Sequence, residues 1–448
     1  MKKSWHMYTS IALAVLVLIF GIASYTGLNG MGLHKLVDRK EKGTVNFWYT
    51  NENMTNYYNN IASVYNQSNR GANVVPRLVS ASEYVEQIYK ASIEGGNFPD
   101  VYVITSDNVE KAYMSGLTMP IEEELEVREN FPTVAANAAS YEDILIGYPL
   151  YYDTSTLAYN KTMLEKVALQ QFQLAAKAEG VENPESITVP QEDIDNLVNL
   201  MVPETIDELL ELANNLEAPD GLETVFKWNI NDVFFNYFYL GAYANISATE
   251  VDIYNESTQA CMDVFKRVTD FFYMDAETVS TDGILKEFME GKVLFTILDA
   301  ESALELETAN ANGEIDFVYD YAPTPNPSET LQGRPLSSTN IVVVNGYAEK
   351  PNTAHDFARF LTMENFAADQ LYAKTGYLPA YQHATLNSNM ERVFKTAYEE
   401  SVNMPNGMIN SDFWMLLENA FNEIWDGADA KTVLEKIEET LKARIPQT

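Results

Sequence analysis

The run Gly147-Tyr148-Pro149-Leu150-Tyr151-Tyr152-Asp153-Thr154-Ser155-Thr156-Leu157-Ala158-Tyr159-Asn160-Lys161 constrains this chain most. Its β-branched and aromatic residues favour extended backbone, and Pro149 near its start falls where a missing N–H is tolerated. The run is long for a single strand and carries one acid, Asp153, among aromatic residues. It reads as a strand crossing between two lobes, with Asp153 at the junction where a ligand would meet it. The competing reading is a core strand with one solvated carboxylate.

At 448 residues the chain exceeds what one hydrophobic core organises, so two lobes are expected. Strands and helices alternate after residue 43: Val45–Thr50 is a strand, Asn51-Glu52-Asn53 a polar turn, and a helix follows through Tyr65. Val74–Val79 and Phe98–Ile104 are further strands, separated by a helix that starts near Ser82 and stops at Gly95-Gly96. This order predicts an α/β sheet with helices on both faces. In such sheets ligands meet the carboxyl ends of strands, which nominates Glu52, Asn53, Thr105, Ser106 and Asp107.

Residues 162–202 read as an inserted pair of surface helices. Val225–Asn229 is a strand, and the aromatic stretch Val233–Leu240 is a buried helix or a ligand wall. A helix ending at Gly291 precedes a strand that delivers Asp299 and Glu301, and 433–445 closes the chain as an amphipathic helix. Lys2 and Lys3 precede a charge-free apolar run from Met7 to Ala23, so 1–31 is expected to be a signal peptide or transmembrane anchor, with 32–43 a polar linker. The positive-inside rule then leaves the body outside the cell, anchored or released by cleavage.

The net charge of −36 argues against nucleic-acid partners, which need clustered Lys and Arg. Cys261 is the one cysteine, so no intramolecular disulfide can form. The four histidines are scattered, and GxxxxGK, GxGxxG and GxSxG motifs are all missing. No enzyme activity, metal or cofactor is expected. What remains is aromatic faces with carboxylates, a combination suited to a neutral polyol: Trp48, Tyr102, Tyr151, Tyr152, Trp228, Tyr377 and Trp414 for stacking, and Glu52, Asp107, Asp153, Asp232 and Glu301 to accept hydroxyl protons. A large aromatic is by default a core residue, and that alternative stands for each of them.

In the order of its short motifs the chain resembles the extracellular solute-binding proteins of sugar-type ABC importers, the group that includes the maltose-binding protein. The likeness runs from Val45 to Ile445. It is carried by Phe98-Pro99-Asp100-Val101 with Ser115-Gly116-Leu117, by Gly147-Tyr148-Pro149 with Tyr159-Asn160-Lys161, by Phe288-Met289-Glu290-Gly291-Lys292, by Gly376-Tyr377-Leu378-Pro379, and by Phe413-Trp414. The resemblance implies two α/β lobes with an interlobe cleft, a carbohydrate solute, a membrane permease as partner and a monomeric chain. It places lobe 1 at 44–152 and 322–362, lobe 2 at 153–321 and 363–448, and crossovers near Tyr152, Tyr321 and Met363. Glu52 and Asn53 match a polar cleft turn, Asp107 a first-lobe carboxylate, Asp153 a junction acid and Trp414 a stacking aromatic. Glu301 lies where relatives often carry a stacking tryptophan, which points toward another sugar or an amine-bearing one. A lipobox cysteine is missing, so no lipid anchor is expected. Other readings are an amine, polyamine or peptide binder, a glycan-acting enzyme and a surface adhesin.

Overall fold

The computed structural model describes residues 43–68, 72–246, 250–272, 279–404 and 410–443. The expected leader at 1–31 and the linker up to residue 42 lie outside the described residues. Among those described, no helix is long and apolar enough to cross a membrane.

The strand Gly147–Asn160 organises everything else. Its first half pairs antiparallel with Leu336–Val344, from Gly147 opposite Val343 to Thr154 opposite Ser337. Its second half pairs antiparallel with Val293–Asp299, from Ser155 opposite Asp299 to Tyr159 opposite Phe295, and with Tyr319–Ala322 on the other edge. The sheet therefore runs Ala72–Leu78, Gly43–Tyr49, Val101–Thr105, Leu336–Val344, Gly147–Asn160, Val293–Asp299, Thr224–Phe226. Partner strands change between Thr154 and Ser155, beside Asp153. The first three strands are mutually parallel and joined by the helices Thr55–Gln67 and Tyr84–Glu94, the βα arrangement expected from the alternating sequence.

Two hydrophobic cores flank the change of partners. The first gathers Phe47, Tyr58, Ile61, Ile104, Val342 and Phe357; the second gathers Leu157, Phe226, Trp228, Phe265, Phe295 and Phe421. Of the predicted insertion, the helices Lys161–Ala178 and Gln191–Met201 bury Leu164, Val167, Val198 and Met201 in the second core and leave Leu174 and Leu200 exposed. The aromatic stretch after Asp232 is a short helix, Val233–Asn236, and a 3₁₀ turn, Tyr237–Tyr239, both largely buried.

The later crossings fall further along the chain than the sequence indicates. Asn326 exchanges backbone hydrogen bonds with Glu204 and Ile206, and the Arg334 N–H donates to the Phe238 carbonyl, so this segment stays with the second lobe. Leu336 lies in the second core and Ile341 in the first, which puts the second crossing at the start of that strand and not near Tyr321. The third crossing likewise lies beyond Met363. Helix Asn365–Thr375 packs on Thr55–Gln67, where the Tyr57 hydroxyl donates to the Ala367 carbonyl (3.1 Å), and the chain rejoins the second core at Val402 and Met404. Amphipathic periodicity marks a helix's buried face but not the lobe that buries it.

Gly147 begins the crossing strand because nothing larger fits. A Cβ there would lie 2.3 Å from Ile341 Cγ2 and 3.1 Å from the Val342 carbonyl oxygen. Gly147→Ala is therefore expected to destabilise the protein by about 1–3 kcal/mol through overpacking. A lowered urea midpoint with unchanged m-value would show this, and an unchanged midpoint would contradict it.

Candidate functional site

Side chains alternate along an extended strand, so Tyr151 and Asp153 share one face and Tyr152 takes the other. Tyr152 is buried and stacks flat on Tyr398, with centroids 3.8 Å apart and planes 3° from parallel. The Tyr398 hydroxyl in turn meets Thr339 Oγ1 at 2.7 Å. Tyr152 is thus a junction core residue, not a ligand contact, and its neighbour Tyr151 faces the cleft. Tyr151 stacks on Tyr377 (4.8 Å, 16°), and Asn51 Nδ2 donates to both hydroxyls, at 3.4 Å and 3.1 Å.

Two recesses adjoin this tyrosine pair, and a third lies in the second lobe. One of about 540 Å³ sits at the carboxyl ends of Gly43–Tyr49 and Val101–Thr105, lined by Tyr49, Asn51, Thr105, Asn108, Tyr151 and Asn340 among others. A second, about 570 Å³, lies between the turn carrying Glu52 and Asn53 and the helix Ala300–Ala311, with Glu301, Leu304, Lys374 and Tyr377 completing its wall. The third, about 440 Å³, belongs to the second lobe and is lined by Asn229, Asp232, Phe234, Leu336, Trp414 and Glu418. Trp414 is half-buried, its ring tilted against Tyr237 and Phe413, so part of the indole remains available.

Asp107 acts one step back. It accepts a hydrogen bond from Thr105 Oγ1 and another from Asn108 Nδ2 (3.0 Å), fixing two residues that line the first recess. Asn53 reaches the Tyr377 hydroxyl at 3.5 Å, and Glu52 is exposed at the rim. Asp232 is exposed and caps the helix Val233–Asn236, accepting from the Phe234 N–H at 2.8 Å.

Trp228 does not reach the site. It is fully buried, donates Nε1–H to Asn236 Oδ1 at 2.8 Å and stacks on Phe226 at 4.5 Å. A tryptophan after a strand carries the same sequence signal whether it faces a cleft or a core, and here the core holds it. Trp48 and Tyr102 are buried as well. Conversely, Asn51, Asn229 and Asn340 line the recesses although sequence reading passed over them: an asparagine outside regular structure reads as a turn former, and Asn340 lies within a strand of mostly buried residues.

At the change of strand partners Asp153 Oδ1 accepts from the Ala300 N–H at 2.9 Å, and Asp299 Oδ1 caps the same helix through the Ser302 N–H at 2.7 Å. Burial, and then the charge of Asp299, hold the Asp153 carboxyl well above the usual carboxylate range, at about 8, against the lowering pull of the Ala300 and Thr154 amides. Asp232 is also raised, by burial first and by Asp299 to a smaller extent. Among the described residues no group of three or more His, Cys, Asp or Glu is arranged to hold a metal ion.

The profile described as "Bacterial extracellular solute-binding protein" matches residues 60–398. The chain belongs to this family. It is 20% identical over 372 residues to the maltotriose-binding protein of Pyrococcus abyssi, covering 80% of this chain and 73% of that one. Among solved structures it superposes on an extracellular solute-binding protein of Staphylococcus aureus in complex with maltose at a TM-score of 0.72, with 17% identity over 90% of this chain and 97% of that one. It superposes on a cyclo/maltodextrin-binding protein complexed with maltotetraose at 0.70, with 18% identity over 90% and 98% of the two chains. At these identities the superpositions establish the two-lobed α/β fold.

Two measurements test the placement of Asp153 and Trp228. The raised Asp153 pKa means that the folded state keeps a proton the unfolded chain has lost, so this group's contribution to stability falls as pH rises from about 4 toward about 8. Asp153→Asn removes that loss. Its melting temperature relative to the parent is expected to climb across this window and then level off, and a pH-independent difference would refute the assignment. Trp228→Ala should cost about 3–5 kcal/mol in chemical denaturation, as loss of a fully buried aromatic does.

Proposed function

We propose that the protein is the substrate-binding component of a sugar ABC importer, capturing an oligosaccharide between its lobes outside the cell and delivering it to a membrane permease. The observation that carries this reading is the junction itself. One strand belongs to both lobe sheets, a carboxylate stands at its change of partners, and the adjacent stacked tyrosine pair lines two recesses. The family supports a binding role, and the relatives named for maltotriose, maltose and maltotetraose support a carbohydrate as the solute.

The site chemistry fits such a solute. Tyr151, Tyr377 and Trp414 present apolar faces to sugar rings, while Asn51, Asn53, Asn340 and Glu52 exchange hydrogen bonds with hydroxyls. Glu301, at the first turn of Ala300–Ala311, offers a carboxylate across the recess from the turn carrying Glu52 and Asn53. Binding is the whole reaction: a solute that touches both lobes stabilises the closed arrangement, and its differential affinity for closed over open sets the shift. The closed form is then what the permease recognises. No cofactor takes part, and the net charge of −36 keeps nucleic acid out of the partner set. The chain works as a monomer, tethered by its amino-terminal segment or released.

A thermal-shift series with maltose, maltotriose and longer oligosaccharides tests the reading, since a ligand of the folded state alone raises the melting temperature. A saturable rise with an oligosaccharide is expected, and no rise with any saccharide would overturn it. Trp414→Ala and Tyr377→Ala should each weaken that binding by about tenfold or more, in line with about 1–3 kcal/mol for a stacking aromatic at a binding site. Equal affinity in both variants would place the solute elsewhere.

A further inference from the structure

We propose that the solute of this cleft is a saccharide bearing a protonated amino group, received by Asp153 and Asp299 at the lobe junction. This rests on the saccharide-binding reading and narrows the class of solute. Strand pairing assembles the receiving group. Asp299 stands opposite Ser155 in the antiparallel register, and Ser155 is two residues from Asp153 on the same strand face. The two carboxylates are fixed through the same helix, by the Ala300 and Ser302 amides, and Glu301 follows in its first turn. Asp232 stands near enough to feel the charge of Asp299.

Among the described residues, Asp153, Asp299, Glu301 and Asp232 form no ion pair, while elsewhere Lys111, Lys227, Arg267 and Arg359 are each paired with carboxylates. Lys374 lines the same recess as Glu301 but likewise makes no ion pair there. Asp153, Asp299, Glu301 and Asp232 thus gather negative charge with no direct ion pair among the described residues.

A second, independent observation is the Ser155 hydroxyl. Ser155 is fully buried, shares its strand face with both aspartates, and its Oγ has no hydrogen-bond partner. A neutral sugar offers the pair only hydroxyl hydrogen bonds and no countercharge, so the proton that keeps one carboxyl neutral stays in place. An ammonium group supplies the countercharge that lets both carboxylates ionise. It also displaces the proton that burial and Asp299 hold on Asp153, and the same solute supplies the partner that the Ser155 hydroxyl lacks. The proton leaves to solvent, so binding and proton release are linked. Glu301 adds a further carboxylate in the neighbouring recess.

The test is isothermal titration of the full chain near neutral pH with three probes of equal length: a fully deacetylated chito-oligosaccharide, its N-acetylated counterpart and a malto-oligosaccharide. The deacetylated form is expected to bind at least about tenfold tighter than either neutral probe. Its enthalpy should vary with the ionisation enthalpy of the buffer, as proton release requires, and added salt should weaken it. Asp153→Asn and Asp299→Asn retain an oxygen acceptor for the helix amides; each should shrink the preference toward parity, with melting curves verifying that the variants fold. Neutral probes binding as tightly as the amine would overturn this inference and leave the saccharide reading standing, as would a preference that survives both substitutions. If none of the three probes binds, the saccharide reading falls and this inference falls with it.

Discussion

The structure depends on one strand changing partners. Gly147–Asn160 gives its first half to Leu336–Val344 and its second half to Val293–Asp299, so a single continuous backbone belongs to the sheets of both lobes. Backbone hydrogen bonding must be satisfied along its whole buried length, which fixes the register on both sides and leaves little freedom in where the lobes meet. The residues flanking the change, Tyr151 to Ser155, consequently have positions that neither lobe alone would dictate. A site built there is held by rigid elements on either side.

That position explains the contrast among neighbouring residues. Tyr152 is locked against Tyr398 and Thr339 in the junction core, while Tyr151, one residue away, joins Tyr377 and Asn51 at the cleft. Strand alternation decides which tyrosine holds the joint together and which lines the recess. Asp153 shares the cleft face and is costly there. Its carboxyl is desolvated and repelled by Asp299, a destabilised arrangement of the kind that binding sites retain when the ligand supplies the missing compensation.

Much of the fold could be read from the residues. The βα alternation from Val45 to Ile104, the crossing run at 147–160, the helix stopped at Gly291 before a strand, and the amphipathic closing helix all correspond to observed elements. The later crossings were not legible. The helix Asn365–Thr375 looks the same from its periodicity whichever lobe buries it, and the contact of Tyr57 with Ala367 spans too many residues for local pattern to reveal. The site was legible in residue type more than in place. Glu52, Asn53, Asp232, Glu301, Tyr377 and Trp414 line recesses, and Asp153 stands at the junction, but Trp228 and Tyr152 carried the same aromatic signal from inside the cores.

The sequence by itself determined the element types, the need for two cores and the long strand between them, because hydrophobic period, turn residues and chain length act locally or in aggregate. It also determined that any site would be rich in aromatics and carboxylates. Only the tertiary structure decided which of those side chains converge. Convergence here depends on the pairing of Ser155 with Asp299, on the helix amides that hold Asp153 and Asp299, and on Tyr377 reaching Tyr151 from far along the chain. These contacts join segments that are remote in sequence, and they exist only once long-range strand pairing has brought the segments together.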